Sequence, residues 1–194
     1  MYSTRPLNEV LKNKNNKELI FIHTPKCAGS YISNILSHLK IKNKGHNQAI
    51  QNEGITFTVI RDPIRRFESL LNYRLNEGTP RNDWPKRLSY VYINKTIQLN
   101  EVFSKMTDKE ILSFLPFRTL TYWTKNVDII ITLENLPKML EYFGYTYDIN
   151  LFKPNNVSNK IRGDLNQPNR NRLKRLFKGD IALYNMVINS TFKV

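Results

Sequence analysis

One succession recurs along this chain and constrains its fold more than any other feature. A short apolar run rich in β-branched residues is followed by a tight turn and then by a segment with helical periodicity. "ELIFIH" (18–23) leads into "SYISNILSHLK" (30–40), where Tyr31, Ile35 and Leu39 fall near one helical face with Ile32 and Leu36 beside them. "ITFTVI" (55–60) leads into "RDPIRRFESLLNYRL" (61–75), in which Asp62 suits an N-cap and Pro63 the first helical position. "VDIIITLENLPKMLEYFG" (127–144) reads as strand, turn and helix, with Gly144 as C-cap. Strands alternating with helices predict an α/β fold with a central parallel β-sheet flanked by helices. In such sheets ligands bind at the carboxyl ends of the strands. That places the 23–30 loop, the 61–63 turn and the 133–135 turn along one rim.

The rest of the chain adds less. With 194 residues it is read as one domain, 1–194. Residues 1–17 form a polar N-terminal arm, 40–48 a polar break, and 77–98 an excursion over the surface. Residues 99–116 read as one or two short helices, 153–171 as a long basic loop, and 172–190 as helical with a break at Gly179. The formal net charge is +14, which attracts anions: nucleic acid, anionic lipid, a phosphorylated cofactor or an acidic glycan. Lysine used as a surface solubiliser accounts for part of that excess. Cys27 is the sole cysteine, so no intramolecular disulfide forms, and with three histidines zinc-ligand spacing is absent. No signal-peptide core and no membrane-spanning apolar run are read.

Two stretches carry chemistry. The first is "HTPKCAGS", His23 to Ser30. A helix starting here offers unpaired backbone N–H groups and the positive end of its dipole to an anion. Gly29 allows close approach of a ligand, Ala28 and Ser30 keep the loop open, and Lys26 supplies an ammonium. A Walker A loop reads G-x-x-x-x-G-K-[ST], with its lysine late; here the lysine comes early and there is one glycine. An ordinary strand-to-helix turn fits the same residues. The second stretch is "VIRDPIRRFES", Val59 to Ser69. Ser69 lies roughly two helical turns beyond Arg61, a spacing that lets a guanidinium fork and a hydroxyl converge on a second anion; a capped helix with ordinary surface charge fits the same residues. Asp62 and Arg66, at i and i+4, are expected to pair on the helix surface.

Taken together, "FIHTPKCAGS" resembles the 5′-phosphosulfate loop of sulfotransferases, and "RDPIRRFES" resembles their 3′-phosphate motif. The resemblance is closest to carbohydrate sulfotransferases of the heparan sulfate 2-O type, in which the motifs read P-K-[TC]-[AG]-[GS]-[ST] and R-D-P-I-x-R-x-x-S. "KGHNQAI" (44–50) lies between them, where that branch carries a G-H segment supplying its catalytic base, and the match falls on His46. The "VDIIITLENL" strand and the "DIALYNMV" helix resemble later parts of the family pattern, so the similarity spans about residues 19–188.

The resemblance implies a P-loop-NTPase-like sheet and the donor 3′-phosphoadenosine-5′-phosphosulfate (PAPS), with no metal. It implies in-line sulfuryl transfer to an acceptor hydroxyl on a carbohydrate, for which the positive charge points to an acidic glycan, with His46 as general base and Lys26 stabilising the leaving phosphate. Pro25, Lys26, Cys27, Ala28, Gly29, Ser30 and Tyr31 would hold the 5′ end, and Arg61 and Ser69 the 3′-phosphate. Lys160 and Arg162 would add cover from the basic loop. His23 is expected to orient the loop, His38 to sit on its helix surface, and Trp84 and Trp123 to serve the core or the acceptor groove. Cys27 is read as packing, with a thiol whose pKa a helix N-terminus lowers. No sequence-specific nucleic acid is expected as partner. Without signal peptide, anchor, stem or disulfides, the expected place is the cytoplasm, or a host cell's cytoplasm, for a soluble enzyme of a microbe or virus. Two other classes remain: an ATP-dependent P-loop kinase, against which the missing G-K-[ST] argues, and a non-catalytic module that binds PAPS or another anion.

Overall fold

A computed structural model of the chain describes residues 2–3, 18–47, 49, 54–76, 98–113, 119–148 and 163–190. Its centre is the sheet that the alternating pattern predicts. Strand β1 (Tyr2–Ser3) is followed by β2 (Leu19–Phe21), helix α1 (Gly29–His38), β3 (Lys42–Asn43), β4 (Ile55–Ile60) and α2 (Pro63–Asn76). Then come α3 (Leu99–Lys105), α4 (Asp108–Ser113), α5 (Leu120–Trp123), β5 (Ile129–Thr132), a single 3-10 turn (Leu133–Asn135), α6 (Leu136–Tyr142), α7 (Gln167–Leu176) and α8 (Lys178–Asn189). Strands β5, β4, β2 and β3 lie side by side in that order and run parallel, while β1 pairs antiparallel with β5 at the edge.

Every residue of β2, β4 and β5 is buried, as strands covered on both faces require. Phe21, Phe57, Val59, Ile129 and Ile131 pack on the side of α1 and α6 against Ile32, Ile35, Leu36 and Met139. Ile20, Ile22, Ile60 and Ile130 pack on the other side with Leu120 of α5 and Val187 of α8. A further cluster, around Phe67, Leu71, Phe103, Leu173 and Phe177, joins α2 to α3 and α7. Buried Asp128 fastens the start of β5 to β4: its carboxylate accepts from Thr56 N at 2.9 Å and Thr56 Oγ1 at 3.0 Å.

Four sequence readings change. The polar break at 40–48 contains β3, because an edge strand needs backbone pairing and not apolar side chains; Lys42 and Asn43 are exposed. The polar arm contributes β1, and its remaining residues lie outside those described. The basic loop read over 153–171 ends early, since α7 starts at Gln167: Asn166 Oδ1 accepts from Asn169 N at 3.0 Å and Pro168 occupies the first turn. The break expected at Gly179 falls at Phe177, which ends α7 and precedes α8. Residues 77–97 and 153–162 lie outside the described set. No helix among the described residues is long and apolar enough to cross a membrane.

The strand order has a consequence for function. From β2 the chain steps outward to β3, and from β4 it steps the opposite way to β5. The topological switch therefore lies between the carboxyl ends of β2 and β4, where an open α/β sheet forms its ligand crevice. The loop after β2 and the turn after β4, the two stretches singled out by sequence, flank that point.

Candidate functional site

The loop after β2 is held by its backbone and by a buried hydroxyl pair. Ile22 N donates to Phe57 O at 2.8 Å and His23 N to Gly45 O at 2.8 Å. Thr58 Oγ1 donates to Ile22 O at 2.7 Å, so in the 2.8 Å contact between Thr24 Oγ1 and Thr58 Oγ1 the proton comes from Thr24. Lys26 and Ala28 both adopt left-handed backbone conformations, φ 60 and φ 61, which are uncommon for residues with a side chain. Ala28 occupies the N-cap position of α1 and provides no side-chain cap, and the first turn of α1 holds no acidic residue. The N–H groups of Gly29, Ser30 and Tyr31 therefore open α1 toward the crevice with the positive end of its dipole.

Gly29 has a different reason from the one its sequence context suggests. A Cβ on Gly29 would lie 1.5 Å from His23 Nε2, so the imidazole of His23 occupies the space that a side chain there would take. His23 stacks in turn on His46, with ring centroids 4.1 Å apart. Burial and the neighbouring His46 lower the His23 pKa to about 4, so this ring is neutral at physiological pH. His46 Nδ1 lies 3.0 Å from His23 O. A carbonyl only accepts, so Nδ1 carries a proton, and in the neutral tautomer the lone pair is on Nε2. The exposed His46 also meets the edge of Trp123 on α5, with centroids 6.1 Å apart.

Across the switch point, Arg61 is exposed at the end of β4. Asp62 caps α2 as expected, accepting from Arg65 N at 2.8 Å. Ser69 is half-buried on α2. Lys26 Nζ lies 3.9 Å from the centre of the Tyr73 ring, a cation–π contact. Tyr73 follows Ser69 by four residues and so shares its side of α2. Lys26 thus bridges from the loop to the α2 face that carries Ser69. Tyr184 of α8 has its pKa raised by burial and by the nearby Asp62 and Glu134, which puts the 133–135 turn on the same rim.

Two expectations are corrected here. Arg66 does not sit on the surface with Asp62: it is 4% exposed, and its Nε donates to Pro25 O at 3.0 Å. Cys27 has no lowered pKa. It precedes the helix rather than starting it, it is buried, and burial pushes its thiol up despite the neighbouring Arg66 and Arg61. Lys160, Arg162 and Trp84 lie outside the described residues. Sequence reasoning missed Thr24, Thr58 and Asp180 as supports. Asp180 is buried on α8 and accepts from Leu120 N at 2.6 Å and Thr121 N at 3.3 Å. No local pattern marks it, because its partners are some sixty positions away. A chain-wide comparison finds no matching family model, no matching curated protein and no matching solved structure.

Proposed function

We propose that this chain is a PAPS-dependent sulfotransferase with a P-loop-like nucleotide site, transferring the sulfuryl group to a hydroxyl of an acidic carbohydrate. The observation that carries the reading is the meeting of three things at one switch point: an uncapped helix N-terminus, an exposed arginine on the neighbouring strand end, and a histidine tied to the loop by its Nδ1. The residues fit a doubly phosphorylated nucleotide, since the loop after β2 and the end of β4 offer donors and cations: the N–H groups at the start of α1, Lys26 and Arg61. PAPS supplies the activated sulfuryl group when bound.

On this reading each residue has a defined task. The α1 N–H groups and Lys26 hold the 5′-phosphosulfate end and stabilise charge on the departing phosphate oxygen. Arg61 and Ser69 hold the 3′-phosphate, the guanidinium as a fork and the hydroxyl as a donor. His46 accepts the acceptor hydroxyl's proton at Nε2, while His23 O fixes its tautomer and orientation. His23 remains neutral and keeps positive charge away from that base. A reducing compartment such as the cytoplasm suits the unpaired Cys27.

The deciding experiment is a thermal-shift comparison of 3′-phosphoadenosine-5′-phosphate, ADP and ATP with Mg²⁺. A nucleotide that binds the folded state raises the melting temperature by mass action. The 3′-phosphorylated nucleotide should give the largest shift, and a shift no larger than that of ADP overturns the reading. His46→Ala should abolish sulfuryl transfer while leaving that shift intact. A variant that keeps the shift and turns over normally removes His46 from the mechanism.

A further inference from the structure

The loop after β2 is fastened from beneath by Arg66, the second arginine of the R-D-P-I-x-R-x-x-S stretch, which is buried rather than turned to the crevice. Arg66, on the buried side of α2, is 4% exposed and donates from Nε to Pro25 O at 3.0 Å. It also lies near enough to Cys27 and Asp180 to interact with both electrostatically. Asp180, 2% exposed, spends its carboxylate on the N–H groups that open α5, Leu120 and Thr121. Arg66 therefore stands between the loop and the α8–α5 corner. An arginine cannot shed its charge, and burying it is costly, so for packing alone an apolar side chain would serve as well. What an apolar side chain cannot supply is a directional donor to the Pro25 carbonyl. The loop needs one, because Lys26 and Ala28 hold left-handed conformations that persist only when the surroundings impose them.

We infer that Arg66 is a positioning residue: by holding Pro25 O it fixes the strained 25–28 turn, so that Lys26 and the start of α1 stay presented to an anion. Asp180 acts with it, holding α5 and offsetting the buried positive charge. The effect on nucleotide affinity rests on the function proposed above; the effect on the loop itself does not.

Cys27, two positions beyond Pro25, is the sole cysteine and 2% exposed, so its modification reports loop opening directly. The experiment compares wild type with Arg66→Met, Arg66→Lys and the double variant Arg66→Met/Asp180→Asn. Each is assayed for the rate of modification by a chromogenic aromatic disulfide, for melting temperature, and for affinity toward 3′-phosphoadenosine-5′-phosphate. Losing a hydrogen bond from a charged donor should raise the open population, and with it the modification rate, by about tenfold or more. Arg66→Lys should fall between wild type and Arg66→Met. The double variant removes the uncompensated carboxylate, so it should regain melting temperature while staying fast. The direction is diagnostic: loss of a nearby positive charge by itself makes the thiolate scarcer and slows the reaction. Nucleotide affinity should fall by about the same factor. A double variant that melts like wild type and shows neither faster modification nor weaker nucleotide binding overturns the inference, as does an acceleration that vanishes when variants are compared at equal global stability. If wild type fails to bind the nucleotide, the proposed function falls, and the modification rates still decide the role of Arg66.

Discussion

Acidification should destabilise this protein through His23 in a defined window, and the size of the effect follows from where the ring sits. The imidazole lies over Gly29, against His46, with its pKa lowered from 6.5 to about 4 by burial first and by His46 second. As pH falls through 6.5, the unfolded chain takes up a proton at this residue that the folded chain refuses. Stability therefore declines as pH falls from 6.5 toward 4, and above that window His23 contributes no slope. The whole displacement is bounded at about 3 kcal/mol, of which about 2 kcal/mol would be felt at about pH 5. Part of the ring touches solvent, which reduces the expected loss to about 1 kcal/mol. The assay is urea unfolding at about pH 7.5 and about pH 5 for wild type and His23→Gln. The variant's baseline stability is free to differ; its pH slope should be shallower by that amount. Asp180, whose carboxyl is pushed up by burial, titrates in both proteins and drops out of the difference. With three histidines in the chain, the imidazole signals can be assigned and followed by NMR. A His23 signal that titrates near its ordinary value, or equal pH slopes in the two proteins, refutes the reasoning.

Two more perturbations test the same architecture. Gly29→Ala places a methyl group where the His23 ring lies, so the ring must leave His46; the His23 titration should move back toward 6.5, and an unchanged titration would show that the loop absorbs the methyl without moving the ring. Glu68→Gln removes the charge at a buried hub that accepts from Arg170 at 2.9 Å, Leu165 N at 3.1 Å and Arg65 at 3.1 Å. Because both arginines keep access to water, the cost by urea unfolding should be about 2 kcal/mol rather than that of a fully buried pair, and a loss below about 0.5 kcal/mol would mean the hub is dispensable.

How far the fold could be read from the chain depends on what each segment faces. Strands β2, β4 and β5 were legible because burial on both faces writes itself as a continuous apolar run, and the turns after β2 and β4 were legible because a helix start has local rules. Strand β3 was not, since an edge strand with exposed Lys42 and Asn43 carries no hydrophobic signal, and two-residue β1 carries even less. Helix α2 shows the deeper reason for the miss at Arg66. Amphipathic reasoning assumes that charged positions mark the outside of a helix. Here α2 is wrapped by α3, α7 and the loop after β2, and Arg66, Glu68, Asn72 and Arg74 are buried along with its apolar residues. Spacing alone paired Asp62 with Arg66, but Asp62 is engaged with Arg65 N, and Arg66 points inward to Pro25. The same distinction runs through the candidate site. The groups proposed to meet the donor and the acceptor, namely Lys26, the start of α1 and His46, depend on neighbours in sequence or on one short motif. The contacts that reach the loop from elsewhere come from Arg66 and Thr58, whose partners lie dozens of positions away, and Asp180 ties α8 to α5 over a similar distance, so these supports emerge only once the sheet has folded and brought β4, α2 and α8 together.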